Sequence, residues 1–548
     1  MKKEFKDWIE LVGRLRRSDA VWPGEKLPVE FKQTHISVLL LGETRVMKLK
    51  KPVNFGFLDY STLERRHFAC EREVELNRRL CPGTYLGVRS IIEDEKGIRL
   101  SEGGPALEYG VLMNRLPKAC MLDEMVRRNT ITESDIARIA KRLSEFHRSA
   151  RRGPDVDVFG GMETIRYNWN ENFEQAEPFI GRTVTELDFE TIRDWVSSWL
   201  EENEEFLNER VEGGHVCDGH GDLRCESICV ENGISIFDCI EFNERFRCAD
   251  VAAEAAFLAM DLDAFGRPDL GYYFYECYSR ESGDKELFKL FSFYRCYRAF
   301  VRGKVLSFQL DEPEITGKQH KVAKRNARNY FDIAARSTEP NFDKPTMVVV
   351  SGLSGTGKTS IARAIACDLG SRVVSSDVVR RSLFGDEESP VEYGEGKYDK
   401  KANRLTYQKM IERGIEFLRN DGCVILDATF QRTADRQEVR RRAESVGAAF
   451  RLIECRLSPD RIRERLDLRA SRNDGLSKAT WETYKMQRSE LNEGGTGLVA
   501  DLVLETDGSL SEVSRRALNW LRKDVGQSSM MNEMAHSTGS VIFRPDDS

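Results

Sequence analysis

Residues 346–351, TMVVVS, form an unbroken apolar, β-branched run that stops at Gly352, and apolar residues at helical spacing follow from Ser360 to Leu369. That pattern predicts a buried strand, a tight loop and a helix. Downstream, apolar runs at 372–376, 422–426, 448–454 and 500–504 alternate with helix-compatible stretches, as in a parallel sheet covered by helices. Upstream the pattern is different. Residues 36–50 predict two short strands joined by a Gly-Glu turn, and 61–80 carry apolar and charged positions at helical spacing. Alternation over 98–117 predicts a strand and an extended connector, after which helices over 133–149 and 189–209 dominate. Apolar strands at 227–230 and 234–237 flank the turn at Gly233, making a hairpin with Asp222 before it and Asp238 after it. Residues 249–263 predict a strongly apolar helix capped by Asp250, and the Phe/Tyr stripe over 270–310 predicts helices packed through aromatic rings.

A chain of 548 residues is too long for one core. The Ser-, Thr-, Asn- and Pro-containing stretch at 336–345 places a linker between a first domain, 1–335, and a second, 346–525. Residues 526–548, rich in Ser, Asn, Met and Asp, predict a disordered tail. The charged fraction of 32% implies a well-solvated surface, and a net charge of −7 means that nucleic-acid contact would need a local basic patch. No uncharged run approaches the ~20 residues of a membrane-spanning helix and no signal-peptide pattern follows Met1, so the expected location is cytoplasmic. The thirteen cysteines include no C-x-x-C pair. Five of them (217, 225, 229, 239 and 248) lie near His215 and His220, but at irregular spacing, so reduced thiols are expected and not a zinc site.

Gly352-Leu-Ser354-Gly355-Thr356-Gly357-Lys358-Thr359 fits the phosphate-loop template G-x-x-x-x-G-K-[ST], with the strand and helix flanks that the template requires. Glycines let backbone N–H groups turn toward phosphates, Lys358 reaches the β and γ oxygens, and the Thr359 hydroxyl suits Mg²⁺. Asp377 ends the second strand of this domain, where an acceptor hydroxyl would give up its proton, and Arg380 lies one turn on, suited to an anionic group. Asp427 ends a buried strand at the position of a metal-directed acid. Arg465 and Arg469, at i and i+4, are expected on a lid over the triphosphate, within a basic run that also holds Arg461, Arg463 and Arg472.

Lys48, Glu73, His220-Gly-Asp222 and Asp238 stand in the order and approximate spacing of the aminoglycoside-phosphotransferase and protein-kinase-like group. Residues 1–335 resemble that fold, in particular a bacterial subgroup that fuses it to a phosphate-loop kinase. The resemblance implies an α+β bilobal protein-kinase-like domain followed by an α/β P-loop NTPase domain with a parallel sheet. It also implies that Lys48, paired with Glu73, holds phosphates, that Asp222 accepts the substrate hydroxyl proton, and that Asp238 binds Mg²⁺. The family pattern departs at Ser227, where an Asn metal ligand is usual and serine offers a weaker neutral oxygen.

Residues 346–505 resemble the small phosphate-loop kinases, with Ser376-Asp377-x-x-Arg380 most like the polynucleotide 5′-hydroxyl kinase pattern and Ser477-Lys478-Ala-Thr480 departing from the usual lid. The resulting expectation is an ATP- and Mg²⁺-dependent phosphotransferase with two nucleotide-binding modules acting on a small-molecule hydroxyl. Two alternatives stand beside it, a nucleotide-binding regulator with a degenerate first domain and a kinase of nucleic-acid 5′ ends. Neither a membrane nor a protein partner is implied.

Overall fold

In the computed structural model the backbone is described for residues 3–56, 58–95, 97–103, 106–312, 317–339, 342–385, 396, 399–472, 479–493 and 499–537, without side chains at 3–4, 421, 472, 491–493 and 524–537. Alternating apolar residues near the N-terminus build an antiparallel sheet from β1 (Glu30–Gln33), β2 (Ser37–Leu41), β3 (Arg45–Lys50), β4 (Tyr85–Asp94), β5 (Gly97–Ser101) and β6 (Glu108–Asn114), in the order β1-β2-β3-β6-β4-β5. Helix Leu63–Arg78, whose first turn is capped by the Thr62 side chain, packs Cys70 and Val74 against Val46, Val111 and Met113 of this sheet. The packing turns Glu73 toward the central strand β3. The alternation over 98–117 proves to be two strands, because the turn beginning at Glu102-Gly103 interrupts it.

The second lobe is helical. Helix Val251–Ala264 is apolar on every side and buried along almost its whole length, so Pro268–Ser282, Phe291–Phe308 and Lys318–Thr338 pack around it, and Glu133–Ser149 packs in turn on Pro268–Ser282. Asp250 caps it, accepting from the Ala252 N–H at 2.7 Å. The aromatic stripe is core packing, as in the Trp199–Phe293 stack at 3.9 Å. Two short pairs lie on this lobe's face toward the sheet: β7 (Val216–Asp218) with β10 (Cys248–Asp250), and β8 (Ile228–Val230) with β9 (Ile234–Ile236). The helix expected over 189–209 is two helices, Glu186–Glu202 and Glu204–Glu212, parted at the non-helical backbone of Asn203.

The C-terminal strands β11 (Thr346–Ser351), β12 (Arg372–Ser375), β13 (Cys423–Asp427), β14 (Ala449–Arg456) and β15 (Leu502–Glu505) form one parallel sheet in the order β12-β13-β11-β14-β15. With β11 central, its end opens beside Asp427 of β13, and Ser375 of β12 pairs with Asp427 in register. The residues that end these strands therefore collect at the carboxyl end of the sheet.

The linker expected at 336–345 begins inside a helix. Helix Lys318–Thr338 runs through its first three residues and ends where Glu339 turns extended before Pro340. Arg336 is held there by Asp263 and Asp368. A single apolar core spans the helical lobe and one face of the second sheet, joining Tyr272, Tyr273 and Phe291 to Ile361, Ile365 and Leu369. The tail also differs from expectation, since helix Leu510–Ser537 continues through its first twelve residues. The remaining tail residues, 538–548, lie outside the described residues. Among the described residues no helix is long and apolar enough to cross a membrane.

Candidate active sites

The first site lies between the sheet and the helical lobe. The Lys48 ammonium donates to Glu73 at 2.8 Å and to Asp238 at 2.6 Å, tying strand β3, the packed helix and the segment after β9 together. Burial opposes the lysine's charge, but the Asp238 and Glu73 carboxylates outweigh it and raise its pKa. Lys48 in turn holds Asp238 well below the usual carboxylate range. Asp238 has a positive φ of 66°, and its side chain is half-exposed to the cleft. Lys50, two residues along the same strand and on the same face, is buried in contact with Glu73 and Glu241, and Tyr60 donates to Glu241 at 2.5 Å. The period of two along β3 is the signal that pairs Lys50 with Lys48.

Asp222 sits on a loop fixed from beneath. His220 is fully buried, with Nε2 2.9 Å from the Phe237 carbonyl and Nδ1 3.3 Å from the Asp222 N–H, an arrangement that requires the Nε2–H tautomer. The N–H groups of His220 and Gly221 both donate to Glu254 Oε1 at 2.7 Å, and His147 holds the other oxygen at 2.6 Å. Burial would raise the Glu254 pKa, but the His147 contact and its other partners bring it down to about 2. Gly221 has φ 86°, and a Cβ there would lie 2.8 Å from the Phe246 carbonyl oxygen, so the turn requires glycine. Both Asp222 oxygens accept from Arg224, each at 2.9 Å. Against the effect of burial, Arg224 and then Arg302 lower the Asp222 pKa. Ser227, at the position where the resembled family carries a metal-ligating Asn, donates to the Arg224 carbonyl at 2.8 Å and accepts from its N–H at 3.0 Å, contacts that shape the loop.

A cavity of 1220 Å³ joins Lys48, Asp222, Arg224, Ser227 and Asp238, and extends from the strand face into the helical lobe. It is large enough for a nucleotide and a second small molecule.

The second site is the loop after β11. Gly352 has φ 147°, and a Cβ there would come 2.7 Å from the Cys455 carbonyl oxygen and from the Thr356 hydroxyl, so only glycine lets the loop turn. Lys358 and Thr359 open helix Lys358–Leu369. Thr359 donates to Asp427 Oδ2 at 2.9 Å, while Asp427 Oδ1 is buried with no hydrogen-bond partner. Burial raises the Asp427 pKa, opposed by Lys358. An orphaned carboxylate oxygen beside a hydroxyl is a hard-oxygen donor set that fits Mg²⁺, so Thr359 and Asp427 would hold that ion.

Asp377 lies in the first turn of helix Ser376–Phe384, close enough to Asp427 to affect its ionisation, and the capping position belongs to Ser375. Arg380 lies 3.5 Å from Asp377 and donates to Asn403 at 2.7 Å. Of the basic run, Arg465 donates to the Thr356 and Thr506 carbonyls at 3.4 and 2.7 Å, and Ile462 and Leu466 pack on Leu353, so this helix is seated on the phosphate loop. Arg469 donates to the Ala479 carbonyl at 2.8 Å, away from the loop contact. Arg461 pairs with Glu464 and Asp507, and Arg463 lies over Trp481. The Arg472 side chain, Ser477 and Lys478 lie outside the described residues.

Three contacts were not legible in the motifs. Gln487 accepts from the Ser354 N–H at 2.9 Å, Thr506 donates to the Thr356 carbonyl at 2.6 Å, and Tyr407 lies 3.0 Å from the Thr429 hydroxyl.

Fold and sites define a two-module protein, in which a bilobal module with a cavity between its sheet and its helical lobe is joined to a parallel-sheet module that carries a phosphate loop. Residues 347–491 match the family model described as an AAA domain. Over 463 residues the chain is 32% identical to an uncharacterized protein of Mycobacterium tuberculosis, covering 83% of this chain and 88% of that one, and it matches a Mycobacterium bovis counterpart to the same extent. The chain belongs to the family of these mycobacterial proteins. Among solved structures, a choline/ethanolamine kinase family protein from Mesorhizobium loti covers 60% of this chain and 98% of its own at 11% identity and a TM-score of 0.36. A gluconokinase from Sinorhizobium meliloti covers 34% of this chain and 97% of its own at 19% identity and a TM-score of 0.25.

Proposed function

We propose that the chain is an ATP-dependent kinase with two nucleotide-binding modules, each directed at a hydroxyl of a small molecule. The observation that carries the reading is the Thr359–Asp427 pair with its orphaned oxygen beneath the glycine loop. In the second module Lys358 would neutralise the β and γ phosphates, Asp377 would take the acceptor proton, and Arg380 with Asn403 would orient the acceptor. Arg465, on the helix seated against the loop, would be drawn toward the transferred group. Mg²⁺, when bound, would offset charge on the phosphate oxygens. In the first module Lys48 would hold the phosphates, Asp238 would serve the metal, and Asp222 would receive the proton.

Lys358→Ala should remove phosphate transfer by the second module from γ-labelled ATP. Retained transfer that Asp222→Asn does not reduce would overturn this assignment. Labelling of 5′-hydroxyl oligonucleotides tests the nucleic-acid alternative for the same module.

A second reading has its own support. Arg224 occupies both oxygens of Asp222, and Ser227 is used inside the loop, as a module that binds nucleotide without turning it over would allow. ATP binding by the Lys358→Ala chain, with no turnover sensitive to Asp222→Asn, would favour this regulator over a second kinase.

A further inference from the structure

Helix Phe291–Phe308 places three cations, Arg298, Arg302 and Lys304, on the wall of the cavity that contains Asp222. Among the described residues none of the three is in an ion pair with a carboxylate. Arg298 donates to the carbonyls of Gly221 at 3.2 Å and Ala253 at 3.3 Å, which anchors the helix beneath the Asp222 loop. Arg302 lies over the Tyr330 ring at 5.8 Å, and its buried Nε has no hydrogen-bond partner. Its charge acts on Asp222 strongly enough to lower that group's pKa. Lys304 is only 7% exposed and donates to two neutral oxygens, those of Asn172 and Gln175, each at 2.6 Å. An ammonium has three donors, so one is left over.

The facing helix, Met162–Ala176, presents Asn168, Glu171, Asn172 and Gln175 to the same cavity at i, i+3, i+4 and i+7. Its one carboxylate in that stripe is taken, since Arg245 binds Glu171 with bonds of 2.9 and 3.1 Å. Asp222 is likewise taken by Arg224. Asp222 and Glu171 act on Arg302 and Lys304 without an ion-pair contact, each being held at both oxygens by Arg224 or Arg245, so among the described residues the inner end of the cavity carries positive charge in excess, an unfavourable arrangement that an anionic ligand would relieve. A cationic acceptor would meet repulsion there, whereas an anionic one would complete the charge balance.

We propose that the acceptor of the first module is a small hydroxyl compound bearing a phosphate or carboxylate group, which Arg302 and Lys304 bind so that its hydroxyl faces Asp222. The assignment rests on the phosphotransferase reading of that module. In the transfer, the acceptor oxygen forms a bond to the γ-phosphorus of ATP. The bond from that phosphorus to the β–γ bridging oxygen breaks, its electron pair leaves with ADP, and the hydroxyl proton passes to Asp222.

The test uses the full chain carrying Lys358→Ala, saturated with ADP so that nucleotide phosphate sites are filled. Inorganic phosphate, acetate and choline are titrated by calorimetry. Saturable binding of phosphate or of acetate, weakened about tenfold or more by Arg302→Met with Lys304→Met and retained by Arg302→Lys, supports the proposal; the preferred anion identifies the group. No saturable anion binding, binding unchanged in the double variant, or a preference for choline overturns it. γ-Labelled ATP is then supplied with glucose, glucose 6-phosphate, gluconate or glucosamine. Transfer favouring the anionic sugars and lost on Asp222→Asn supports both inferences. Anion binding without any Asp222-dependent turnover overturns the phosphotransfer reading and leaves the anion pocket standing.

Discussion

The Arg295 guanidinium, in the helical lobe, donates to Asp368 of the phosphate-loop module at 2.7 Å while also holding Asp263 of its own lobe at 2.5 Å. Arg336 repeats the bridge, at 2.8 Å to Asp368 and 3.0 Å to Asp263. Two cations and two carboxylates are thus shared across the module boundary, buried in a common apolar core. Nearby, Arg363 binds Glu133 at 2.6 Å and the Val373 N–H donates to the Tyr272 hydroxyl at 2.8 Å.

Removing one member of such a network leaves the others buried and uncompensated. Asp368→Ala should destabilise the chain by about 3–5 kcal/mol, whereas loss of a surface ion pair costs ~1 kcal/mol or less. Because the core is shared, calorimetric unfolding of the parent chain should show the helical lobe and the second sheet melting together. A loss below about 1 kcal/mol for Asp368→Ala, or two well-separated transitions in the parent chain, would contradict this picture.

These charges also mark where the sequence was and was not legible. Lys48, Glu73 and Asp238 could be placed because a strand, a helix and a hairpin each have a local period, and the structure brings the three together. Asp263, Arg295, Arg336 and Asp368 belong to four different helices, and no local pattern says which helical charges will meet inside a core. The same limit explains the linker: Ser, Thr and Pro near 336–345 read as a break, but burial against Asp263 and Asp368 holds Arg336 in a helix. Arg224 was visible two residues after Asp222, yet its double bond to that carboxylate depends on the loop's shape.

That contact gives a prediction about catalysis in the first module. Burial would raise the Asp222 pKa, but Arg224 and Arg302 lower it, so this carboxylate is ionised across the neutral range. Arg224→Met should let the pKa rise, moving the acid limb of kcat/KM to higher pH. The pH–rate profile is measured in the Lys358→Ala background, so that any turnover observed belongs to the first module. An acid limb that stays in place would mean that another group sets it.

In the second module the metal should report on the orphaned oxygen. Asp427→Asn keeps the shape but removes the charge, and Thr359→Ala removes the hydroxyl that donates to it. Each should raise the Mg²⁺ concentration for half-maximal activity by about 10–100-fold, with ATP held constant. Burial raises the Asp427 pKa, so Mg²⁺ activation of the parent should weaken on acidification sooner than for an ordinary carboxylate. Unchanged Mg²⁺ dependence in both variants would place the ion elsewhere.

Lys304 should make anion binding in the first module sensitive to alkali. Burial brings its pKa down to about 8, opposed by Glu171 and assisted by Arg245, while the Asn172 and Gln175 oxygens and the Phe308 ring make up its near neighbours. The lysine is charged below that pH and neutral above it. Acetate remains ionised throughout, so its affinity should be level from pH 6 to 7 and then fall toward about tenfold per unit above the free protein's pKa. Arg302 stays charged over the whole range, and Lys304→Met should therefore bind more weakly with a level profile. A parent profile that is flat to pH 10, or a variant profile that still falls, would show that Lys304 does not hold the anion.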